Sequence, residues 1–128
     1  MDDKKKILVV DDDEILLAGA TVILNADYDV MTALSGKKAL ELLYNGFIPD
    51  LILLDVFMPG MAGFDVFNRI KAISLLQDIP IIFLTSLGGI AEAQYALEIG
   101  ADDYITKPYS KENLLQRIKG VFAKLDKQ

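Results

Sequence analysis

Short apolar runs alternate with longer, mixed stretches along the whole chain. Residues 7–10, 51–54 and 81–84 are apolar without interruption, which is typical of strands that are covered on both faces of a sheet. Residues 28–33 and 103–106 have the length and composition of two further strands. The pattern therefore predicts five strands, three of them deeply buried.

Helices are predicted between these strands and after the last one, over residues 13–25, 35–45, 63–72, 90–99 and 111–125. Ser35 can cap the second helix, and Gly46 can help to end it. Five alternating strand–helix units indicate an α/β fold with a doubly wound parallel sheet and helices on both of its faces. The chain has 128 residues and no repeat or linker, so residues 1–128 are expected to form a single domain.

The first predicted helix is apolar on more than one face. The residues that share one face at helical spacing, and are expected to pack on the core, are Leu16, Ala20, Ile23 and Leu24. The apolar residues left over are Ile15, Leu17 and Val22. Either a neighbouring helix covers them, or they form a docking patch for a partner protein.

The composition excludes several kinds of chemistry. The chain has no cysteine and no histidine, which excludes disulfides, thiol nucleophiles, His-ligated metals and Ser-His-Asp triads. Its net charge of −6 disfavours direct binding to nucleic acid or to an anionic membrane. The N-terminal apolar run is too short for a signal peptide, and no stretch reaches the ~20 apolar residues of a membrane span. We therefore expect a cytoplasmic protein whose chemistry uses carboxylates, hydroxyls, amines or a bound ion.

Polar residues follow four of the predicted strands at their carboxyl ends. They are Asp11, Asp12 and Asp13 after the first strand, Asp55 at the end of the third, Thr85 and Ser86 at the fourth, and Lys107 after the fifth. Each alone has an ordinary explanation as a helix cap, a satisfied hydroxyl or a solvated lysine. In doubly wound sheets, ligands bind beyond the carboxyl ends of the strands, so their convergence on one edge predicts a functional site.

The acidic residues of this predicted site favour a hard cation. Two carboxylates ~4 Å apart repel each other by roughly 4 kcal/mol at an effective dielectric constant of about 20. A cluster of Asp11, Asp12 and Asp55 would therefore bind protons more tightly unless a cation lay among them. Oxygen ligands without His or Cys indicate a hard cation, and Mg²⁺ fits best because it typically binds one or two carboxylates, keeps waters and shares a phosphate. Ca²⁺ is less expected, since the chain has no EF-hand pattern. Beside Mg²⁺, the Asp55 carboxylate can attack phosphorus, while Lys107 and Thr85 can bind phosphoryl oxygens.

Four motifs of the chain occur together in one known family. They are residues 7–13 with the triple aspartate, residues 50–60 with Asp55 and Met58-Pro59-Gly60, residues 84–86, and residues 100–109 with Lys107-Pro108. In order and spacing they resemble the receiver domain of bacterial response regulators, and the resemblance covers essentially the whole chain. It implies a flavodoxin-like (βα)5 three-layer sandwich with the strand order 2-1-3-4-5.

The resemblance also implies the chemistry of two-component phosphorelay signalling. Asp55 would accept a phosphoryl group from a sensor histidine kinase or a histidine phosphotransfer protein. Mg²⁺ would bind Asp12, Asp55 and the backbone carbonyl of Phe57, with Asp11 acting mainly through water. Lys107 would bridge to the phosphoryl group.

A switch is implied as well. Thr85 would move toward the new phosphoryl oxygens, and Tyr104 would fill the space that it leaves. The face made by the fourth helix, the fifth strand and the fifth helix would then report the state of the domain to a downstream output domain or protein.

Some positions depart from the family pattern. Ala62 stands where the family commonly has Asp, so this loop is expected to be less well held. Ser86 stands where Ala is usual, and its hydroxyl is expected to crowd the phosphoryl site or to restrict Thr85. Phe57 and Leu87 lie where family side chains border the path of the hydrolytic water, so their bulk is expected to slow dephosphorylation.

Three other functions compete with that of a phosphoacceptor. A phosphorylation-independent protein-interaction module of the same fold would lack Mg²⁺ binding, and the retained site residues argue against it. A phosphohydrolase with an aspartyl intermediate commonly has a second Asp where this chain has Phe57. A flavin carrier would need a Ser/Thr/Gly-rich loop after the first strand, where the aspartates would repel its phosphate.

The expected activity is limited to the domain itself. We expect self-phosphorylation and dephosphorylation that depend on Mg²⁺, and no enzyme acting on a separate substrate. The sequence leaves open whether the chain is a free-standing receiver or a piece of a longer regulator or hybrid kinase. It also leaves open the oligomeric state, the kinase and the output.

Overall fold

The structure is a computed structural model that describes residues 4–127. Its strands are β1 (Lys6–Val10), β2 (Asp29–Ala33), β3 (Leu51–Asp55), β4 (Ile81–Thr85) and β5 (Asp103–Thr106). Its helices are α1 (Glu14–Leu24), α2 (Gly36–Tyr44), α3 (Gly63–Lys71), α4 (Ile90–Glu98) and α5 (Lys111–Asp126), and a 3₁₀ turn (Leu87–Gly89) precedes α4. Within this range, no helix combines the length and the apolar character needed to cross a membrane.

Local hydrogen bonds explain the small differences between the predicted and observed ends of helices and strands. Asp13, predicted inside the first helix, is instead its N-cap, because its carboxylate accepts hydrogen bonds from the two backbone N–H groups at Ile15 and Leu16. Tyr28, predicted at the start of the second strand, lies before β2, and its backbone N–H donates to the carbonyl of Leu24 at 2.9 Å. Ser35 caps α2 as predicted.

The five strands form one parallel sheet in the order β2-β1-β3-β4-β5, which confirms the topology implied by the resemblance. β1 lies between β2 and β3, so that Val10 pairs with Ala33 on one side and with Leu54 on the other. β4 joins β3 to β5, and Thr85 aligns with Thr106 at its end. Because the strands are parallel, their carboxyl ends share one edge, and the residues that follow them meet there.

Alternate residues of the buried strands face two separate apolar layers. Ile52 and Leu54 of β3 pack into the layer covered by α2, α3 and α4, whereas Leu51 and Leu53 pack into the layer covered by α1 and α5. Every residue of β3 is buried. Burying one such side chain stabilises the fold by about 1.5–3 kcal/mol, so the sheet is a rigid frame for residues at its edge. This arrangement confirms the predicted doubly wound, three-layer α/β fold.

The core face of α1 differs from the predicted one. Its buried residues are Leu17, Ala20 and Leu24. Leu17, predicted to be left over, is buried, whereas Leu16 and Ile23, predicted for the core face, are only partly buried and pack at the edge of the same cluster. The Asp13 cap sets where the helix starts, and from that start the residues at i, i+3 and i+7 from Leu17 face the sheet. Ile15 and Val22 stay 85 % and 80 % exposed, so no neighbouring helix of residues 4–127 covers them.

Candidate functional site

The residues predicted to converge on one edge of the sheet do so. Asp11 follows β1, Asp55 ends β3, Thr85 ends β4 and Lys107 follows β5. The side chains of Asp11 and Thr85 are fully buried, and Asp55 is 6 % exposed. Three of the polar residues at this edge are therefore withdrawn from solvent, and burial of polar groups is costly unless they are paired.

The turn between β1 and α1 holds Asp11 in place. Its backbone N–H donates to the carbonyl of Ala33 at 3.1 Å, and its Oδ1 accepts a hydrogen bond from the backbone N–H of Asp13 at 3.0 Å. Its Oδ2 lies 2.7 Å from Nζ of Lys107. Among residues 4–127, however, no donor reaches Oδ2 with good hydrogen-bond geometry. This buried carboxylate oxygen is thus held by the ion pair with Lys107 and keeps a lone pair for a further ligand inside the site.

Asp11, Asp12 and Asp55 form a cluster whose carboxylate oxygens all lie within 4.8 Å of one another. Asp11 and Asp55 are buried, whereas Asp12 is exposed at the mouth of the cluster. All the side-chain atoms of the cluster that could bind a metal ion are carboxylate oxygens. The residues present therefore fit a hard divalent cation.

Lys107 joins the two buried carboxylates. Its Nζ lies 2.7 Å from Oδ2 of Asp11 and 3.3 Å from Oδ1 of Asp55. The backbone N–H of Lys107 donates to the carbonyl of Thr85 at 2.6 Å, which ties the chain after β5 to the end of β4. The side chain is 20 % exposed, so its ammonium can still meet a ligand that enters from solvent.

Negative charge is in excess in this pocket. The pKa of Asp55 is raised to about 7, first by burial and next by the charge of Asp11, against the opposing effect of Lys107. Burial also disfavours the charge on Lys107, but pairing with Asp11 and Asp55 outweighs burial and raises the pKa of the lysine. One lysine therefore does not balance the three carboxylates. A further positive charge among them would lower the pKa of Asp55 again.

Thr85 and Tyr104, the predicted switch residues, lie on the same face of the sheet. Tyr104 pairs with Phe83, and Thr85 follows Phe83 by two residues, so both side chains point to the α4 side. Tyr104 is partly buried against the layer of α2, α3 and α4. The hydroxyl of Thr85 donates to the carbonyl of Ser86 at 3.0 Å. It is thus engaged with its own turn and not with Asp55.

The remaining predicted features lie around the pocket. Phe57 is 53 % exposed two residues after Asp55, and its backbone carbonyl as a metal ligand stays a prediction. The side chain of Leu87 lies outside the part of the chain that the structure describes. Ser86 is exposed. Ala62 precedes α3 without a side-chain hydrogen bond to the helix, as expected for a position that lacks Asp.

Gly63 is a residue of the site that the sequence pattern did not single out. Its backbone N–H donates to the carbonyl of Val56 at 2.8 Å. A Cβ atom at this position would overlap the backbone carbonyl oxygen of Asp55 and lie 3.0 Å from Cα of Val56. Only glycine lets the start of α3 approach the Asp55 segment this closely. Nothing in the local sequence distinguishes it from an ordinary glycine at the start of a helix.

Comparison with known proteins defines the class to which this site belongs. The sequence model of the response regulator receiver domain matches residues 7–119. The chain therefore belongs to the response regulator receiver domain family, which is the receiver class of two-component signalling.

Individual relatives agree with this class. The chain is 42 % identical over 100 residues to the probable transcriptional regulator ycf27 of Guillardia theta, covering 78 % of this chain and 38 % of that protein. It is 38 % identical over 102 residues to the DNA-binding dual master transcriptional regulator RpaA of Synechocystis sp., and the match covers 80 % of this chain and 42 % of that protein. The chain thus spans about two fifths of the length of these relatives. The crystal structure of a CheY-like response regulator receiver domain protein from Methanospirillum hungatei superposes with a TM-score of 0.82 at 33 % identity, covering 96 % of this chain and 98 % of that one.

Proposed function

We propose that this receiver domain is a phosphoacceptor of phosphorelay signalling and that Asp55 takes the phosphoryl group. The observation that carries the proposal is the setting of Asp55 at the sheet edge. Its carboxylate is nearly buried, lies 3.3 Å from the ammonium of Lys107, and shares a cluster with Asp11 and Asp12. An ionised carboxylate can attack phosphorus without a general base, and the pocket offers none.

The proposed transfer forms one bond and breaks one. A carboxylate oxygen of Asp55 bonds to the phosphorus of a phosphohistidine while the P–N bond breaks, and that electron pair stays on the imidazole nitrogen of the donor. Lys107 pairs with one phosphoryl oxygen, and the hydroxyl of Thr85 leaves the Ser86 carbonyl to donate to another. In dephosphorylation, water attacks the phosphorus and the carboxylate of Asp55 is released.

Mg²⁺ is the cation that we propose for the carboxylate cluster. Asp12, Asp55 and the backbone carbonyl of Phe57 would hold it, with Asp11 contributing mainly through water. When bound, Mg²⁺ supplies positive charge that reduces repulsion between the acidic pocket and the incoming phosphoryl group. The all-oxygen donor set supports this choice, as does the exposure of Asp12, because Mg²⁺ usually keeps several waters.

The proposed output is a population shift at Thr85 and Tyr104 that changes the face of α4, β5 and α5.

The proposed donor of the phosphoryl group is a sensor histidine kinase or a histidine phosphotransfer protein, and the recipient of the signal is an output domain or protein. Two relatives are named as transcriptional regulators, but they are longer than this chain. Because the chain itself is acidic, we propose no direct contact with nucleic acid or an anionic membrane. We further propose a cytoplasmic location and no enzymatic action on a separate substrate.

Intact-mass analysis tests the phosphoacceptor directly. The protein is incubated with Mg²⁺ and acetyl phosphate, beside an Asp55→Asn variant and a sample in EDTA. Asp78→Asn is the matched control, since it makes the same chemical change at an exposed residue. We expect one added phosphoryl group, stable in acid and labile in base, in the wild-type protein and in Asp78→Asn alone.

Two outcomes would contradict the proposal. Phosphorylation that persists in Asp55→Asn would place the acceptor elsewhere. Absence of both phosphorylation and Mg²⁺ binding in the wild-type protein would favour a phosphorylation-independent interaction module of the same fold.

A further inference from the structure

The two glycines of the 3₁₀ turn before α4 have different surroundings. Gly89 is buried, whereas Gly88 is exposed. A Cβ atom at Gly89 would overlap Oγ1 of Thr85, and would lie 2.9 Å from Cε2 of Phe57 and 3.4 Å from Cβ of Thr85. At Gly88 the nearest atom would be Oγ of Ser86, at 4.0 Å. One glycine therefore touches the site, and its neighbour does not.

The backbone of Gly89 does not require a glycine. Its φ of −105° and ψ of 8° are accessible to other residues. A larger residue is opposed most strongly by the Thr85 hydroxyl, which lies against the turn while it donates to the carbonyl of Ser86. The Phe57 ring would lie 2.9 Å from the added Cβ, but it is the exposed end of a side chain and can shift. The same carbonyl accepts a hydrogen bond from the backbone N–H of Gly89 at 2.9 Å. The turn and the threonine thus share one acceptor and one small space.

We propose that Gly89 is a positioning residue that sets how readily Thr85 changes orientation. The inference rests on the proposed function, in which the hydroxyl of Thr85 turns to the phosphoryl oxygen on Asp55. Without a Cβ at residue 89, the orientation of Thr85 seen here is free of overlap. A methyl group there penalises this orientation through its overlap with Oγ1, and that overlap is relieved once Oγ1 has left, whereas the contact with the Phe57 ring does not depend on the orientation of Thr85. The size of residue 89 therefore shifts the equilibrium between the resting and the phosphorylated arrangement.

Beryllofluoride binding measures this equilibrium, because beryllofluoride with Mg²⁺ imitates a phosphoryl group on a carboxylate. Its half-saturation is followed by ¹⁹F NMR in the wild-type protein, in Gly89→Ala and in Gly88→Ala. We expect Gly89→Ala to bind beryllofluoride about five- to tenfold more tightly than the wild-type protein, a usual size for coupling between two sites. Gly88→Ala makes the same change in the same turn with no contact to Thr85, and should bind as the wild-type protein does.

A second background separates positioning from packing. In Thr85→Ala the hydroxyl is gone, so adding Gly89→Ala should no longer tighten beryllofluoride binding. A purely structural role of Gly89 would give the same change in both backgrounds. Thermal unfolding gives an independent readout, since Gly89→Ala should lower the melting temperature less when beryllofluoride and Mg²⁺ are present.

The outcomes separate this inference from the proposed function. Unchanged or weaker binding by Gly89→Ala, with normal binding by the wild-type protein, would overturn the role of Gly89 alone. Failure of the wild-type protein to bind beryllofluoride would overturn the phosphoacceptor proposal and this inference with it. If Gly89→Ala does not fold by itself, folding in the presence of beryllofluoride and Mg²⁺ would support the inference, and failure in both conditions would contradict it.

Discussion

Replacing Asp55 with Asn should stabilise the metal-free protein, and the gain should depend on pH. The pKa of Asp55 rises from an ordinary value of 3.8 to about 7 in the folded state, mainly through burial and then through Asp11. The folded state thus binds this proton more tightly than the unfolded state does. The wild-type protein therefore loses stability as the pH rises from about 4 through 7, and Asn at this position removes that loss.

The magnitude follows from the shift and from the surroundings of the group. One pKa unit corresponds to about 1.4 kcal/mol, so the full shift of an isolated carboxyl would change the free energy of unfolding by on the order of 4 kcal/mol. Lys107 compensates part of the charge, and solvent reaches the cluster at exposed Asp12. We therefore expect about half of this, roughly 2 kcal/mol, above pH 7 and little near pH 4.

The assay is urea unfolding in EDTA at several pH values between about 4.5 and 8.5. This range runs from just above the ordinary pKa of Asp55, 3.8, to above its folded pKa of about 7. Asp78→Asn serves as the control, because it removes an exposed carboxylate outside the pocket. A constant difference between Asp55→Asn and the wild-type protein across this range would refute the reasoning. So would an Asp55→Asn variant that is less stable than the wild-type protein by an amount that grows with pH. Excess Mg²⁺ should reverse the order of stability, since the cation then stabilises the wild-type carboxylates.

Other predictions concern the rim of the site and the proposed output face of α4, β5 and α5. Ala62→Asp should raise the free energy of unfolding by about 1 kcal/mol in urea titrations, because Ala62 has the extended backbone of an N-cap but offers no side-chain acceptor. The double variant Phe57→Asn, Leu87→Lys should shorten the lifetime of the phosphorylated protein in a mass-spectrometric time course; an equal or longer lifetime would reject the role assigned to these two bulky residues. The Asp103–Arg117 ion pair (2.8 Å) is partly exposed, so a double-mutant cycle to Ala should give a coupling energy below about 1 kcal/mol that falls with added salt.

The architecture could be predicted because the strands carry an unambiguous pattern. Uninterrupted apolar runs such as residues 51–54 indicate burial on both faces, and their alternation with predicted helices implies a doubly wound parallel sheet. The strand order did not follow from the pattern and required the family resemblance. The centre of the buried face of α1 was misplaced, from Leu17 to Leu16, because the two residues are equally apolar. Only the Asp13 cap and the contact with the sheet decide between them.

The convergence of the site could also be predicted, since each polar residue ends a strand of one parallel sheet. The close approaches within the site could not. Gly63 and Gly89 lie against atoms of Asp55 and Thr85, at the ends of β3 and β4, and only the path of the folded chain brings these atoms so near. The hydrogen bond of Thr85 to Ser86 likewise depends on the path of the turn after β4, which residue types alone do not specify.

The order in which the strands leave the ribosome bears on the ion pairs of Lys107. Asp11 and Asp55 emerge early, whereas Lys107 follows the last strand of the sheet. Until β5 takes its place beside β4, the carboxylates at this edge face each other without that ammonium, and their repulsion opposes the closure of β1 on β3. When β5 docks and the backbone N–H of Lys107 donates to the carbonyl of Thr85, the sheet therefore gains its last strand and the positive charge of Lys107 in one event. A nascent or truncated chain that lacks β5 would keep uncompensated repulsion between these carboxylates at the carboxyl edge of the sheet until it bound a cation from solution.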